Sequence, residues 1–493
     1  MNILLLSMPD FLPFVMQWDI KAPNLGMVSV ASNLSSGHNV YVGDLCTRRN
    51  KVSEAVRDAV ERYKPGLVGL SSMTFQYNTA KKIARLIKGM NKDIKLALGG
   101  YHATLMSPEL KTEEDNKLFD FSGEDGQLFD FMVRGEGEAT FRELADALDG
   151  GTDFDSILGL SYKVNGDWHH NRRRPTLDVK TIKLPDRSKR IWKNYGYLHY
   201  VTDTVETSRG CTFTCNFCSM QHMYGTSFRT YEISRVMEDI ENCKRAGANI
   251  LFFVDDNITL NPRRLLEICK TIVREGHNDM YYLAQVSCKG IASVPELSQA
   301  MKDAGFLMVF LGIENISKRN LNQLNKGDIL EDSRKAIKYL HNAKVLVIGG
   351  MILGNPEDTY QDIKDNFDFF RDQEVDVYFD QVLTPYPKTG IREELLKTGL
   401  IANPHDFTKY NGFWTNVRTK HLSREELAFL RWKFHRDYFT LAEPTSLYRK
   451  VMGPGYYYRL YKILSKKADV WWSTEREVFK KDMERYRKVN EYL

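Results

Sequence analysis

Short apolar runs alternate with amphipathic segments along the first 400 residues, in two series separated by a polar stretch. Such alternation is typical of parallel β-sheets covered by helices, because parallel strands need a crossover connection between them. The first series predicts strands at Ile3–Met8, Asn39–Asp44, Leu67–Thr74, Ile94–Leu98 and Phe131–Val133. The second predicts strands at Thr204–Ser208, Ile250–Val254, Tyr282–Val286, Met308–Ile313, Val345–Leu353 and Tyr378–Leu383. We therefore expect two α/β domains.

The 493 residues are enough for several domains of about 100–200 residues each. We predict a doubly wound, Rossmann-like domain over 1–150, a linker over 151–195, a partial (β/α)6 barrel of the TIM type over 196–400, and a mostly helical region over 401–493. The linker holds one predicted hairpin, 160–168, which turns at Asn165-Gly166. Apolar residues at helical spacing predict helices at Val52–Tyr63, Tyr77–Met90, Ile233–Ala246 and Val294–Ala304.

Composition narrows the class of protein. Hydrophobic residues make up 42% and charged residues 27%, which is typical of globular proteins. The longest apolar stretch, Val345–Gly354, is about half of the ~20 residues that a membrane-spanning helix needs. The amino terminus has no basic segment before its apolar run, which predicts a buried strand and a cytoplasmic protein. A net charge of +5 is too small to indicate nucleic-acid binding.

The excess positive charge lies in the last segment, residues 441–493, together with the aromatic residues 456–458 and 471–472. Two interpretations stay open. The segment is either a helical cap whose charges are solvated, or a face that binds an acidic or extended partner.

Ligands of open parallel sheets bind at the carboxyl ends of the strands. Three loops at those ends combine glycine with hydroxyl or acidic residues: Ser71–Gln76, Gly99–His102 and Arg134–Glu138. Glycine allows a close approach of backbone and ligand, although any strand-to-helix turn can also require it. A dinucleotide is disfavoured, because no G-x-G-x-x-G follows the first strand.

Three of the seven cysteines, Cys211, Cys215 and Cys218, have the spacing C-x3-C-x2-C directly after the first strand of the second series. Three such thiolates can bind three irons of a 4Fe-4S cluster and leave the fourth iron open. The alternative is a structural zinc ion with His222 as fourth ligand. A triplet within one loop at a barrel mouth favours the cluster. The isolated cysteines are predicted to be small buried hydrophobic residues: Cys46, Cys243, Cys269 and Cys288.

The cysteine spacing, with aromatic Phe217 before the last cysteine, resembles the radical S-adenosylmethionine (SAM) superfamily. Gly350–Glu357 matches that superfamily's G-x-I-x-G-x-x-E, and Asp256 and Glu314 stand at strand ends where its members direct polar groups at SAM. The resemblance implies that the three cysteines bind the cluster and are catalytic. It implies these SAM contacts: Phe217, Asp256, Glu314, Gly350, Ile352 and Gly354.

The first domain resembles the cobalamin-binding domain that precedes such barrels, through Pro23–Met27 and the three glycine-containing loops. The implied cobalamin contacts are Ser72, Met73, Thr74, Phe75, Gln76, Gly99, Gly100, His102, Gly135, Glu136 and Glu138. Many cobalamin proteins carry D-x-H-x-x-G, whose histidine ligates cobalt. The nearest match here begins at Asp167 and has Arg172 in place of the glycine, which implies a cobalt without a histidine lower ligand.

The combined resemblance implies a class B-like radical SAM C-methyltransferase. In such enzymes one SAM methylates cobalamin and a second is cleaved reductively to a 5′-deoxyadenosyl radical, which activates the substrate carbon. A non-methylating cyclase or ring-rearranging enzyme is the alternative, and a sensory module is a third. The implied partners are a protein, peptide or small-molecule substrate and an electron donor such as ferredoxin or flavodoxin, with the chain a monomer. No motif identifies the substrate.

Overall fold

The computed structural model describes residues 1–10, 21–106, 126–150, 153–197, 200–441, 475–488 and 491. Within these ranges, the first sheet has seven strands in the order β2-β1-β3-β4-β5-β6-β7. Its strands are β1 (Asn2–Ser7), β2 (Asn39–Asp44), β3 (Leu67–Ser71), β4 (Lys95–Gly99), β5 (Phe131–Val133), β6 (Leu160–Val164) and β7 (Asp167–His170). The pairs among β1–β5 are parallel, as predicted, and those of β6 are antiparallel.

Both faces of the first sheet are covered. Alternate residues of β1 enter different apolar clusters, Leu4 and Leu6 on one face and Ile3 and Leu5 on the other. This explains why the strand is a continuous apolar run, since a parallel strand is buried on both sides. The helices that cover the sheet or follow its strands are α1 (Leu25–Ser32), α2 (Val52–Tyr63), α3 (Tyr77–Met90), α4 (Tyr101–Leu105) and α5 (Gly137–Leu148).

The predicted hairpin forms, but it belongs to the first sheet. Its turn residues Asn165 and Gly166 have φ angles of 53° and 94°, the left-handed conformation that two-residue hairpin turns require. Strand β6 pairs with β5, and its Leu160 and Tyr162 are buried against the helices of the first domain. Part of the segment predicted as a linker therefore completes the first sheet.

The rest of the connecting segment, 171–195, is bonded to both halves of the chain. The backbone N–H groups of Lys183 and Asp186 donate to side chains of Asn33 and Ser32 at the end of α1, at 3.1 and 2.7 Å. Further along, Arg187 pairs with the buried Asp239 at 2.6 Å. The segment thus fixes the first domain to the second.

The second large sheet has six parallel strands within the described residues, in the order β15-β14-β13-β12-β11-β8, with no pairing there between β8 and β15. Its strands are β8 (Thr202–Val205), β11 (Ile250–Phe253), β12 (Tyr281–Ser287), β13 (Phe306–Glu314), β14 (Leu346–Leu353) and β15 (Val377–Val382). A separate ladder joins β9 (Ser208–Arg209) to β10 (Arg229–Thr230). This is the predicted partial barrel.

Helices surround the barrel and bury its outward-facing side chains in one apolar cluster. They are α6 (Met220–Tyr224), α7 (Ile233–Arg245), α8 (Pro262–Arg274), α9 (Cys288–Ser293), α10 (Leu297–Asp303), α11 (Lys318–Gln323), α12 (Leu330–Asn342), α13 (Tyr360–Asp372) and α14 (Gly390–Lys397). The predicted helix Val294–Ala304 begins later, because Val294 has extended backbone angles between α9 and α10.

Two helices follow in the carboxyl-terminal region, α15 (Arg424–Leu441) and α16 (Glu475–Arg487), and Trp432 of α15 donates to Asp482 of α16 at 3.0 Å. The aromatic residues 456–458 and 471–472, on which both interpretations of this region rest, lie outside the described residues. Across the described ranges, no helix combines the length and apolar character needed to cross a membrane.

Candidate cofactor and active site

A cavity of about 310 Å³ lies where the carboxyl ends of the first sheet face the second domain. Loops after β3, β4 and β5 form one wall, and Glu206, Arg209, Tyr224 and Val254 of the second domain form the opposite wall. The predicted cobalamin contacts that line it are Ser72, Met73, Gln76, Gly99, Gly100, Gly135, Glu136 and Glu138. These residues come from all three glycine-containing loops and lie on the first-domain side of the cavity.

Buried Asp44 at the end of β2 positions the loop before α1. It accepts from the Ser7 hydroxyl at 2.5 Å and from the Asn24 backbone N–H at 2.8 Å. The Asn24 side chain then caps α1 by accepting from the N–H of Met27. These bonds hold the loop residues 24–27 against the cavity.

The loops after β3 and β4 fit tightly together. Gly100 has a φ of 89°, and a Cβ there would lie 2.8 Å from the carbonyl oxygen of Ser72, so no other residue fits. The Gln76 side chain accepts from the N–H of Met73 at 2.9 Å and donates to the Asp10 carbonyl at 3.1 Å. This arrangement leaves Met73 39% exposed on the cavity wall.

Three predicted cobalamin contacts, Thr74, Phe75 and His102, are not among the residues that line the cavity. The His102 side chain is buried and stacks on Tyr77, with 4.1 Å between the ring centroids. Burial lowers the pKa of His102 to about 3, so its imidazole is neutral. Its backbone N–H donates to the Ser72 carbonyl, which gives the residue a structural role beside the site.

Glu136 and Glu138 line the cavity, but their carboxylates are bonded across the domain boundary. Arg209, directly before the cysteine loop, pairs with Glu136 at 3.1 Å and with Glu138 at 2.7 Å, and Arg229 pairs with Glu136 at 2.9 Å. The Arg209 side chain is 7% exposed and also pairs with Glu206 of its own domain. We call Arg209 and these three glutamates the interdomain ion cluster.

The cysteine loop is anchored by backbone bonds on both sides. Asn216 donates from its N–H to the Leu324 carbonyl at 2.9 Å and accepts from the N–H of Ile391 at 3.1 Å. Before the first cysteine, Gly210 has a φ of 84°, and a Cβ there would lie 2.4 Å from the Ser227 carbonyl oxygen. The loop therefore has one fixed path past the barrel mouth.

The three thiols of the predicted cluster site all lie in this loop. Cys211, Cys215 and Cys218 are half-buried, and burial raises the pKa of each thiol, to about 12 for Cys218. Among the described residues, no three His, Cys, Asp or Glu side chains converge to hold one metal ion. Zinc's proposed fourth ligand, His222, instead has its Nε2 2.7 Å from the Lys388 carbonyl oxygen.

Three predicted SAM contacts lie within the cysteine loop or near it. Asp256 accepts from the Gly210 N–H at 3.1 Å, and burial raises its pKa to about 7. Buried Glu314, at the end of β13, has a φ of 65° and pairs with the half-buried Lys326 at 2.8 Å. Phe217 packs against the core of the barrel.

The other three belong to β14 and its loop. A Cβ at Gly350 would lie 2.6 Å from the Phe310 ring, so this ring lies close against the backbone of β14 inside the barrel. The carbonyl of Ile352 accepts from the Asn315 side chain at 3.1 Å. Gly354, with a φ of 84°, donates to Asp358 at 2.9 Å.

Several residues of the site were not predicted: Tyr101, Asn315, Asp358, Arg209, Met223, Tyr224 and Val254. Tyr101 lies within the predicted loop Gly99–His102, and Asp358 directly follows the motif Gly350–Glu357. Both residues could therefore have been predicted from their positions next to these motifs. No sequence pattern indicated the cavity residues of the second domain, because they come next to the first domain only in the folded chain.

Comparison with known families identifies both halves. The B12 binding domain model matches residues 19–145, and the radical SAM superfamily model matches residues 205–370. The chain is a cobalamin-dependent radical SAM enzyme. Its cofactors are a 4Fe-4S cluster, SAM and cobalamin, and the residues present fit them: a glycine-lined cavity for the corrin, three cysteines in one loop, and a glycine strand beside them.

Relatives of this radical SAM enzyme are named for different reactions. An uncharacterized methyltransferase of Pyrococcus horikoshii is 29% identical over 419 residues, covering 85% of this chain and 88% of the relative. An anaerobic magnesium-protoporphyrin IX monomethyl ester cyclase of Rubrivivax gelatinosus is 25% identical, covering 84% and 76%. The solved structure of the radical SAM methyltransferase TsrM from Kitasatospora setae has the same fold, with a TM-score of 0.64, 18% identity and coverage of 82% and 76%.

Proposed function

We propose that this enzyme is a C-methyltransferase, which moves a methyl group from methylcobalamin to an unactivated carbon of a protein or peptide side chain or a natural product. The observation that carries the proposal is the shared cavity. Its walls come from the glycine loops of the B12-binding domain and from Arg209, Tyr224 and Val254 of the radical SAM domain. A corrin in this cavity would lie against the radical SAM domain, beside the Arg209 backbone that leads into the cysteine loop.

The residues divide the work between the two domains. When bound, the cofactors supply reductive cleavage of SAM and a transferable methyl group. Cys211, Cys215 and Cys218 would hold the cluster, while the backbone of β14 and its loop, from Gly350 to Gly354, would lie against SAM. The interdomain ion cluster would keep the two sites at a fixed separation. The half-buried rings of Tyr101 and Tyr224, which line the cavity, would help to exclude water between the sites.

We further propose that cobalt has no histidine lower ligand. Among the described residues that line the cavity there is no histidine, and exposed Met73 lies on the wall formed by the first domain. Electron paramagnetic resonance of the cob(II) state is expected to lack nitrogen splitting from a protein imidazole. Such splitting, if it disappears in His102→Phe, would overturn this proposal.

The products decide the function. Methyl transfer predicts S-adenosylhomocysteine and 5′-deoxyadenosine in equal amounts, with a substrate mass increase of one methylene. The matched control is the variant with Cys211, Cys215 and Cys218 all changed to Ala, which should release no 5′-deoxyadenosine. An electron donor such as ferredoxin or flavodoxin would support turnover, and the chain would act as a monomer.

A cyclase is the second candidate, because the relative from Rubrivivax gelatinosus is named as one at similar coverage. A cyclase would release 5′-deoxyadenosine without a matching amount of S-adenosylhomocysteine. The substrate would then lose hydrogen or gain oxygen instead of gaining a methylene.

A further inference from the structure

The inner wall of the barrel has a closed floor. The inward-facing residues Leu283, Met308 and Leu346 follow one another across neighbouring strands. All three are buried, and they pack with Ile250 and Tyr197 in a cluster separate from the outer core. The amino ends of the strands are therefore sealed by side chains.

The row above the floor is not filled. Gln285, Phe310, Ile348 and Val377 are consecutive partners in the register of β12 to β15. Phe310, Ile348 and Val377 are half-buried and Gln285 is exposed, although the outward-facing residues between them are buried. Small barrels normally fill their interior with side chains. Here these residues border an open space, which we call the lumen chamber.

The lumen chamber lies next to both proposed cofactor sites. The next row is small, with Ser287, Gly312 and Gly350 in register across three strands. On the other side of Gln285, Val254 follows β11, is 39% exposed, and lines the proposed corrin cavity. A molecule in the chamber would thus lie below the glycines proposed for SAM and beside the wall proposed for the corrin.

None of the four side chains in the unfilled row carries a charge. At the carboxyl ends of the strands, Glu314 pairs with Lys326 and Glu206 with Arg209, both at 2.8 Å, and Asp256 accepts a hydrogen bond from the Gly210 N–H at 3.1 Å. The polar side chain in the unfilled row is that of Gln285, which makes no hydrogen bond to any residue that the structure describes. A ligand that covers Gln285 must satisfy its amide, because a buried amide without a partner is costly.

We propose that the lumen chamber binds the reacting part of the substrate, and that this part is uncharged and rich in hydrocarbon, with one hydroxyl, carbonyl or amide group that bonds to Gln285. This inference rests on the proposed function and names its substrate class. A charged group in the chamber would lose its hydration without gaining a counter-ion. Phe310 and Phe379, whose rings meet edge to face at 5.3 Å, supply flat apolar contact area.

Two matched probes test the class of ligand. N-phenyl-1-naphthylamine is neutral, and 8-anilino-1-naphthalenesulfonate adds one sulfonate to the same skeleton. Equilibrium dialysis against the anaerobically reconstituted holoenzyme with SAM should give at least tenfold tighter binding of the neutral probe. Equal binding, or preference for the sulfonate, would overturn the proposed class.

Variants locate the binding. Ile348→Trp should fill the chamber and weaken the neutral probe at least tenfold, and Gln285→Glu at pH 8 at least fivefold, whereas Gln285→Leu should retain it. Val273→Trp, on the exposed face of α8, is the control and should change nothing. The Gln285 side chain is exposed and makes no hydrogen bond to a described residue, so Gln285→Glu tests the proposal even if Ile348→Trp folds poorly.

Unchanged neutral-probe affinity in Gln285→Glu would place the probe elsewhere and refute the chamber. Probe binding does not depend on the products of the reaction. Absence of S-adenosylhomocysteine with the expected probe pattern would reject methyl transfer and leave the lumen chamber standing.

Discussion

Removing the Arg209 charge should loosen the contact between the two cofactor domains. Arg209→Met leaves the buried carboxylates of Glu136 and Glu138 and the half-buried one of Glu206 without their shared partner, although Arg229 still reaches Glu136. Breaking a buried ion pair from one side costs about 3–5 kcal/mol. We expect Arg209→Met to lose this amount of unfolding free energy at pH 7.5, measured from denaturant midpoints of the cofactor-free protein. Cobalamin affinity should fall with it.

The pH dependence of this loss has a definite sign. Burial alone would raise the pKa of Glu138, but Arg209 outweighs it and lowers the pKa below the ordinary 4.5. A lowered carboxylate pKa stabilises the fold above the unfolded value and loses that stabilisation as the pH falls. Without Arg209, burial is the largest effect left, and it raises the pKa of Glu138 in the variant. The difference between parent and variant should therefore be largest at the pH where Glu138 is ionised in both proteins, and should shrink as the pH falls and the unpaired carboxyl of the variant takes up a proton first.

Two further variants serve as a control and as a rescue. The matched control is Arg245→Met, which removes an exposed arginine 3.6 Å from Glu241 and should cost less than about 1 kcal/mol. Adding Glu138→Gln to Arg209→Met should restore part of the loss, because one unpaired buried carboxylate disappears. A deficit below about 1 kcal/mol for Arg209→Met, or no recovery in the double variant, would refute the reasoning.

Three other outcomes are expected. Burial lowers the pKa of His102 to about 3, so the parent should lose about 2 kcal/mol of unfolding free energy between pH 7.5 and 5. His102→Phe should not show this loss. Equal slopes of denaturant midpoint against pH in the two proteins would contradict this. Single changes of Cys211, Cys215 or Cys218 to Ala should abolish iron-dependent absorbance after reconstitution, and stoichiometric zinc in the parent would reject the cluster. Gly350→Ala, whose Cβ meets the Phe310 ring at 2.6 Å, should cost about 1–3 kcal/mol and weaken SAM binding measured by calorimetry, whereas Gly37→Ala, with open space around it, should do neither.

Local patterns predicted most of the secondary structure. The helices Val52–Tyr63 and Tyr77–Met90 have the predicted bounds, because each has a single apolar face that the periodicity reveals. The glycine and cysteine loops were also predictable, since each motif is continuous in sequence.

Long-range partners could not be predicted in the same way. The hairpin pattern predicts two strands, but it does not say which sheet edge Leu160 and Tyr162 will pack on. Glu136 and Glu138 were predicted as cobalamin contacts from their loop alone, and their partner Arg209 lies more than 70 residues away. Whether such a glutamate contacts the cofactor or pairs with an arginine depends on contacts that only the folded chain creates.

The hairpin that completes the first sheet decides where the B12-binding domain can be cut from the chain. A fragment ending at residue 150 would expose β5 as an unpaired edge strand and remove Ile157, Leu160 and Tyr162 from the apolar layer beneath it. Unpaired edges invite association with other chains. A fragment that keeps residues through 170 retains both hairpin strands and is the smaller piece to expect to remain monomeric during purification.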